Sequence, residues 1–260
     1  MRVWAVANQK GGVGKTTTAV TLGGLLAERG QRVLLLDLDP HGSMTSYFGY
    51  DPDSLKLSSF NLFAEQEPEV QMVQAILLKT SCENLTLLPS SMALATVERR
   101  EAVEGMGLKI SRALAKVWDQ FDYVLIDSPP VLGALMINAI AASERLLVPV
   151  QTEFLALKGL ERMLHTITMV THSLRKDLHY TIIPTMFDRR TQASIGALRE
   201  LRTNYEGNIW AAMIPVDTRI RDASRSGVPL SLHASDSRGT VAYRSLLKAL
   251  LSQQSQNLPA

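Results

Sequence analysis

The sequence is short of cysteine: among its 260 residues there is one, Cys82. A single thiol excludes a disulfide framework within the chain and a metal site built from several cysteines. It also excludes an iron–sulfur cluster shared between two subunits, which would need two cysteines from each. No apolar run reaches the roughly 18 residues of a membrane span, and no leader-like segment precedes the first strand-like run, RVWAVA at residues 2–7. No stretch rich in Pro, Gly or Ser divides the chain, and it has no internal repeat or low-complexity tract. The net charge is only +2, so a nucleic-acid partner could be argued only from how charge is distributed. Together these absences predict a cytosolic protein built as one unit.

What is present is apolar residue content of 46%, ample for one large α/β domain with a buried core. Seven short apolar runs read as strands: 2–7, 32–37, 85–89, 123–127, 145–150, 180–186 and 208–214. They lack clean alternation, as expected of strands covered on both faces. Helical patterns lie between them at 15–29, 91–118 (interrupted near Gly105 and Gly107), 154–175, 192–205 and 240–252. Strands alternating with helices predict a mostly parallel, twisted sheet with helices on both faces and right-handed crossovers. Ligands on such a sheet gather at the carboxyl ends of the strands. The expected organisation is a single domain over 1–252 and a polar tail over 253–260. The amphipathic helix before the tail, TVAYRSLLKALL, is read as packing on the sheet rather than lying on a membrane, whose helices carry more lysine on the polar face.

Three motifs carry chemistry. The first is NQKGGVGKTT at 8–17, a phosphate-binding loop that follows a strand and opens a helix. It departs from the G-x-x-x-x-G-K-[ST] form, with Gln9 where the first glycine would stand and an additional lysine, Lys10. Gly11, Gly12, Val13 and Gly14 offer backbone N–H groups to phosphate, and the helix N-terminus adds a favourable dipole. Lys15 is expected on the β- and γ-phosphates, the Thr16 hydroxyl on Mg²⁺, and Thr17 on the α-phosphate. The second motif is LDLDPHG at 36–42, where Asp37 and Asp39 can share one face of a strand end. In a nucleotide site one carboxylate can stand near the metal while the other orients water; either can instead cap the following segment. The third is VLIDSPP at 124–130, in which Asp127 at a strand end is the usual Mg²⁺ partner.

In this order and spacing, K-G-G-x-G-K-T-T, D-x-D-P and D-x-P-P resemble the ParA/MinD family of deviant-Walker ATPases, and PVQTEFLALKGL, TMFDRRT and IPVDTRIRDASRSGVPL extend the resemblance over nearly the whole chain. The resemblance implies an ATPase using ATP and Mg²⁺, in which Lys10 reaches across a homodimer to the partner's ATP and Gly12 lies against the partner chain. It makes Lys10, Lys15 and Asp39 catalytic, with Asp39 positioning water and Thr16, Asp37 and Asp127 on the metal side. Met186 and Pro215 would lie near adenine. Two positions depart from the family pattern: His41 where glutamine is common, and Lys158 in place of a glutamate.

The resemblance further implies that the ATP-bound dimer binds a broad surface until an activating adaptor, ParB-like in some relatives, releases it after slow hydrolysis. Arg189, Arg190, Arg199, Arg202, Arg219, Arg221 and Arg225 favour non-specific DNA as that surface over a reading in which they are a solvated, partly ion-paired face. Arg189 and Arg219 resemble in placement the DNA-contacting arginines of chromosome-partition relatives. The cargo is expected to be a chromosome or plasmid complex, or a protein assembly such as a chemoreceptor array, whose branch DPHGSMT resembles. A MinD-like membrane cycle and an amide ligase on the same fold are the rival readings. The expected location is the cytoplasm, on the nucleoid when ATP is bound.

Overall fold

A computed structural model describes residues 1–65, 67–99 and 106–256. In chain order its elements are β1 (Arg2–Val6), α1 (Lys15–Ala27), β2 (Val33–Asp37), α2 (Ser43–Tyr47), α3 (Ser59–Ala64), α4 (Val70–Ile76), β3 (Leu78–Lys79), β4 (Leu85–Leu88), α5 (Ala95–Glu98), α6 (Lys109–Ala115), β5 (Tyr123–Asp127), α7 (Ala134–Ala142), β6 (Arg145–Gln151), α8 (Phe154–Ser173), β7 (His179–Thr185), α9 (Gln192–Asn204), α10 (Arg219–Ser226), α11 (Leu230–His233) and α12 (Arg238–Gln256). The strands form one sheet in the order β3-β4-β2-β5-β1-β6-β7, parallel except for β3.

Both faces of the sheet are apolar because alternate side chains enter two separate cores. Val3, Ala5, Leu34 and Leu36 point into the core shared with α7 and α8, while Trp4, Val6, Val33 and Leu35 point into the core shared with α1 and α12. That arrangement is why these strands read as unbroken apolar runs. The inner face of α12 supplies Tyr243, Leu246, Leu247 and Leu250 to the second core, so its apolar stripe is spent on the protein itself.

Two segments differ from the sequence reading. Residues 208–214 do not form a strand. The segment runs beside β7, with Ile182 N–H donating to Asn208 O at 2.7 Å and Trp210 N–H to Ile182 O at 2.9 Å. The next donor on that edge of β7 would be residue 184, which is proline and has no N–H, so only an isolated bridge forms. The pattern at 91–118 breaks into α5, two 3₁₀ turns and α6, and Gly105 lies outside the described residues. At the chain's end, α12 continues four residues beyond 252, so residues 253–256 are helical.

Candidate functional site

The motifs converge where β1, β2 and β5 end. Gly12 (φ +74°) and Gly14 (φ +94°) take left-handed conformations that turn the chain back on itself before α1 starts at Lys15. The loop is pinned from both sides. The Asn8 carboxamide accepts from Lys10 N–H at 2.9 Å and donates to Pro149 O at 2.7 Å, and the Thr185 hydroxyl donates to Val13 O at 2.9 Å. No heavy atom lies within 4 Å of a Cβ built on Gly11, Gly12 or Gly14, so the space above the loop is open.

That space belongs to a cleft of 790 Å³ lined by all seven residues from Gly11 to Thr17, by Asp39 and His41, and by Met186 and Pro215. Sequence reasoning missed Tyr47, Thr218, Arg221 and Tyr243 on the same wall. Tyr47 and Tyr243 lie in no motif, and only the packing of α2 and α12 brings them here. Arg221 was counted among the basic residues but not placed in the cleft. Met186 holds a left-handed φ of +52° that a β-carbon disfavours, a strain of about 1–3 kcal/mol that the surroundings must hold in place.

The two loop lysines face different ways. Lys15 lines the cleft and is buried. Desolvation lowers its pKa, opposed by the charges of Asp127 and Asp39. Lys10 does not line the cleft: its ammonium is hydrogen-bonded to the carboxylate of Glu153, the residue capping α8, and to Gln151 Oε1 at 3.3 Å. Beside that contact, the first turn of α8 exposes Phe154 (63%) and Leu155 (73%).

Asp37 and Asp127 end adjacent strands in register and are both fully buried. Burial raises the pKa of each, and the charge of Asp37 adds to the shift at Asp127. Asp37 is engaged within the fold, its Oδ2 accepting from the Thr45 N–H and hydroxyl at 2.9 and 2.8 Å and its Oδ1 from Asp39 N–H at 3.1 Å. Asp127 is less satisfied. Its Oδ2 accepts from the Thr16 hydroxyl at 2.5 Å, and its Oδ1 is buried without any hydrogen-bond partner. An orphaned carboxyl oxygen beside a threonine hydroxyl suits a hard cation, which satisfies carboxylate oxygens that nothing else reaches. Among the described residues no cluster of three His, Cys, Asp or Glu side chains is placed to hold a metal alone. A cation here would therefore draw further oxygens from a bound phosphate and water, as Mg²⁺ does.

Asp39 stands at the cleft with its Oδ1 accepting from the His41 backbone N–H at 3.0 Å and sharing a 2.9 Å hydrogen bond with His41 Nδ1. Arg189 lies outside the cleft, with Arg190 and Arg238 around a neighbouring hollow of 380 Å³, and Arg219 begins α10. Arg190 is committed to Asp188 at 2.7 Å.

Residues 1–180 match the family model described as AAA domain. The Soj sporulation initiation inhibitor protein of Bacillus subtilis is 37% identical over 95% of this chain and 97% of its own length. The chain belongs to the ParA/MinD family. The ParA chromosome partitioning protein of Caulobacter vibrioides is 34% identical over 98% of this chain and 95% of its own. Among solved structures, cobyrinic acid a,c-diamide synthase from Mycobacterium smegmatis with bound ADP and magnesium is 38% identical, with a TM-score of 0.83 over 99% of this chain and 97% of that one. The same protein has also been solved with an ATP analogue and magnesium. The sheet and its flanking helices are thus those of ParA-family P-loop proteins. Among the described residues no helix is long and apolar enough to cross a membrane.

Proposed function

We propose that this protein is an ATP-driven positioning switch: Mg²⁺·ATP in the cleft licenses pairing of two copies, and the pair holds DNA without reading its sequence while carrying a cargo. The observation that carries this reading is the divergence of the two loop lysines. Lys15 faces its own cleft, whereas Lys10 is turned out of it towards an exposed apolar turn. A cation that does not serve its own phosphates is suited to serve those of a facing copy, and a paired apolar surface would bring it there.

In this reading the N–H groups from Gly11 to Gly14 cradle the phosphates, Lys15 neutralises the β- and γ-groups, and Thr17 holds the α-group. Thr16 and Asp127 hold Mg²⁺, with Asp37 behind them fixing the strand end. The metal supplies charge neutralisation on the phosphates. Asp39 orients the attacking water, and His41 holds its carboxylate in place. Met186 and Pro215 flank the base. Arg189 and Arg219, outside the cleft, meet DNA phosphates. Turnover is slow until an adaptor bound to the cargo completes the site. The names of the partitioning relatives support a chromosome or plasmid complex as cargo, and the burial of the apolar stripe of α12 argues against a membrane-lying helix.

The test is binding to random-sequence DNA with ATP, with ADP and with no nucleotide, using Asp39→Ala to hold ATP unhydrolysed. Binding should require ATP, weaken steeply with salt, vanish in Lys10→Ala and weaken in Arg219→Ala. A paired, ATP-locked protein that ignores DNA at low salt would remove DNA from this reading. Similarity to the diamide synthase favours a second reading, amide ligation; release of ADP only when cobyrinic acid is supplied would establish it.

A further inference from the structure

We propose that a cavity at the amino-terminal ends of β6 and β7 is a second ligand site, taking a small metabolite with a phosphate or carboxylate group seated on Arg145. The cavity measures 440 Å³, within the range of small-molecule sites, and Arg145, His179, Tyr180, Thr181, Asn208 and Gln253 line it. Arg145 is 5% exposed. A buried cation normally faces a carboxylate, because removing the charge from water is costly without one. Arg145 has only neutral partners: its Nη1 donates to Thr181 Oγ1 at 3.3 Å and to Gln253 Oε1 at 2.6 Å. The carboxylate next in sequence, Glu144, pairs with Arg2 at 3.4 Å and acts on Arg145 through its charge.

A guanidinium has five N–H donors in a fixed fork. Both bonds use Nη1, and among the described residues nothing accepts from Nη2 or Nε. Neither atom is among the sealed polar atoms that lack a partner, so both keep access to solvent, and Arg145 lines the cavity. Two parallel free donors fit the two oxygens of a phosphate or carboxylate. Asn208 and His179 add further polar groups to the wall. The acidic residue on the rim, Asp177, has a side chain 93% exposed and 4.0 Å from His179, so it faces water rather than Arg145. Desolvation lowers the pKa of Arg145, opposed by the charge of Glu144.

The site is separate from the nucleotide cleft. Arg145 and Gln151 are opposite ends of β6, and six residues of strand span about 20 Å. A phosphate of a nucleotide in the cleft cannot reach it.

The test is an amide-resolved NMR titration of the ligand-free protein with inorganic phosphate and, separately, with acetate, at ionic strength held constant with chloride. Saturable shifts are expected at the amides of Thr181, Gly207 and Asn208; the probe that binds more tightly names the head group. Gln253→Glu places a carboxylate beside Nη1 at an exposed helix position that should leave the fold intact. It should weaken those shifts at least tenfold, while any response of residues 11–17 to phosphate stays equal in both proteins. The proposal is overturned if neither probe shifts these amides, if chloride reproduces the shifts, or if Gln253→Glu leaves the affinity unchanged.

Discussion

At the scale of single residues, the two lysines of the loop separate binding from pairing. Lys15→Ala removes a charge-assisted contact to phosphate, of about 1.5–3 kcal/mol, and should weaken nucleotide binding roughly 10- to 100-fold. Lys10→Ala should leave a single copy's affinity for ATP within about threefold and abolish ATP-dependent pairing. Titration with a fluorescent nucleotide, followed by sedimentation, separates the two outcomes. Asp127 makes a second prediction, through pH. Its folded-state pKa is raised, by burial first and by Asp37 next, so the native protein keeps a proton that the unfolded chain has lost. Stability of the ligand-free protein therefore falls as pH rises above about 4, until the native carboxyl ionises. Asp127→Asn removes one titrating group, and its thermal midpoint should fall less steeply between pH 5 and 8 than that of the wild type. An unchanged slope would contradict the assignment. All of these residues could be read from the motifs. The orphaned oxygen of Asp127 and the contact of His41 with Asp39 could not, because both depend on where two distant strand ends come to lie.

At the scale of elements, α1 sits against the turn that opens α11. A Cβ on Gly24 would stand 2.4 Å from Pro229 Cβ and 2.8 Å from its Cγ, which no rotamer change can relieve in a proline ring. Gly24→Ala should therefore destabilise by about 1–3 kcal/mol despite alanine's better helix propensity, measured by urea unfolding. The first turn of α8 gives the opposite case. Phe154 and Leu155 are exposed, so Phe154→Asp with Leu155→Asp should move the midpoint of unfolding little while eliminating the ATP-dependent pair in sedimentation. Long helices with one strong period were legible in the sequence, α8 and α9 within two residues at each end, and the short apolar run of β5 matches to the residue. Helices α2, α3, α4, α7, α10 and α11 were missed, because in segments of four to nine residues tertiary packing outweighs periodicity. Residues 208–214 were apolar for a different reason. Trp210 and Ile214 fill the core beneath β7 without belonging to its ladder.

At the scale of the whole molecule, the proposed function needs two copies, and so does its salt dependence. Each copy would offer Arg189 and Arg219, so Arg219→Ala removes two phosphate contacts from the pair and should lower the slope of log affinity against log salt by about two. A slope reduced by one would mean that a single copy touches DNA, and an unchanged slope would place the contact elsewhere. The charged surface is mixed, with Arg190 and Arg32 each tied to an aspartate, so neither adds a free cation. Neutralisation within the surface explains why a net charge of +2 says so little about its partner.

The sequence by itself determined the phosphate loop, the three aspartates at two strand ends, the parallel sheet and the family, because each rests on spacing along a few consecutive residues and on the period of one element. Only the tertiary structure decided which carboxylate is left unsatisfied, that Lys10 turns away from its own cleft, and that Arg145 is buried with neutral hydrogen-bond partners. Those facts are set by the order β3-β4-β2-β5-β1-β6-β7, which brings residues 2–6 beside 123–127, 4–6 beside 145–147, and 145–151 beside 179–185. Burial and pairing are properties of such distant neighbours, and no local pattern carries them.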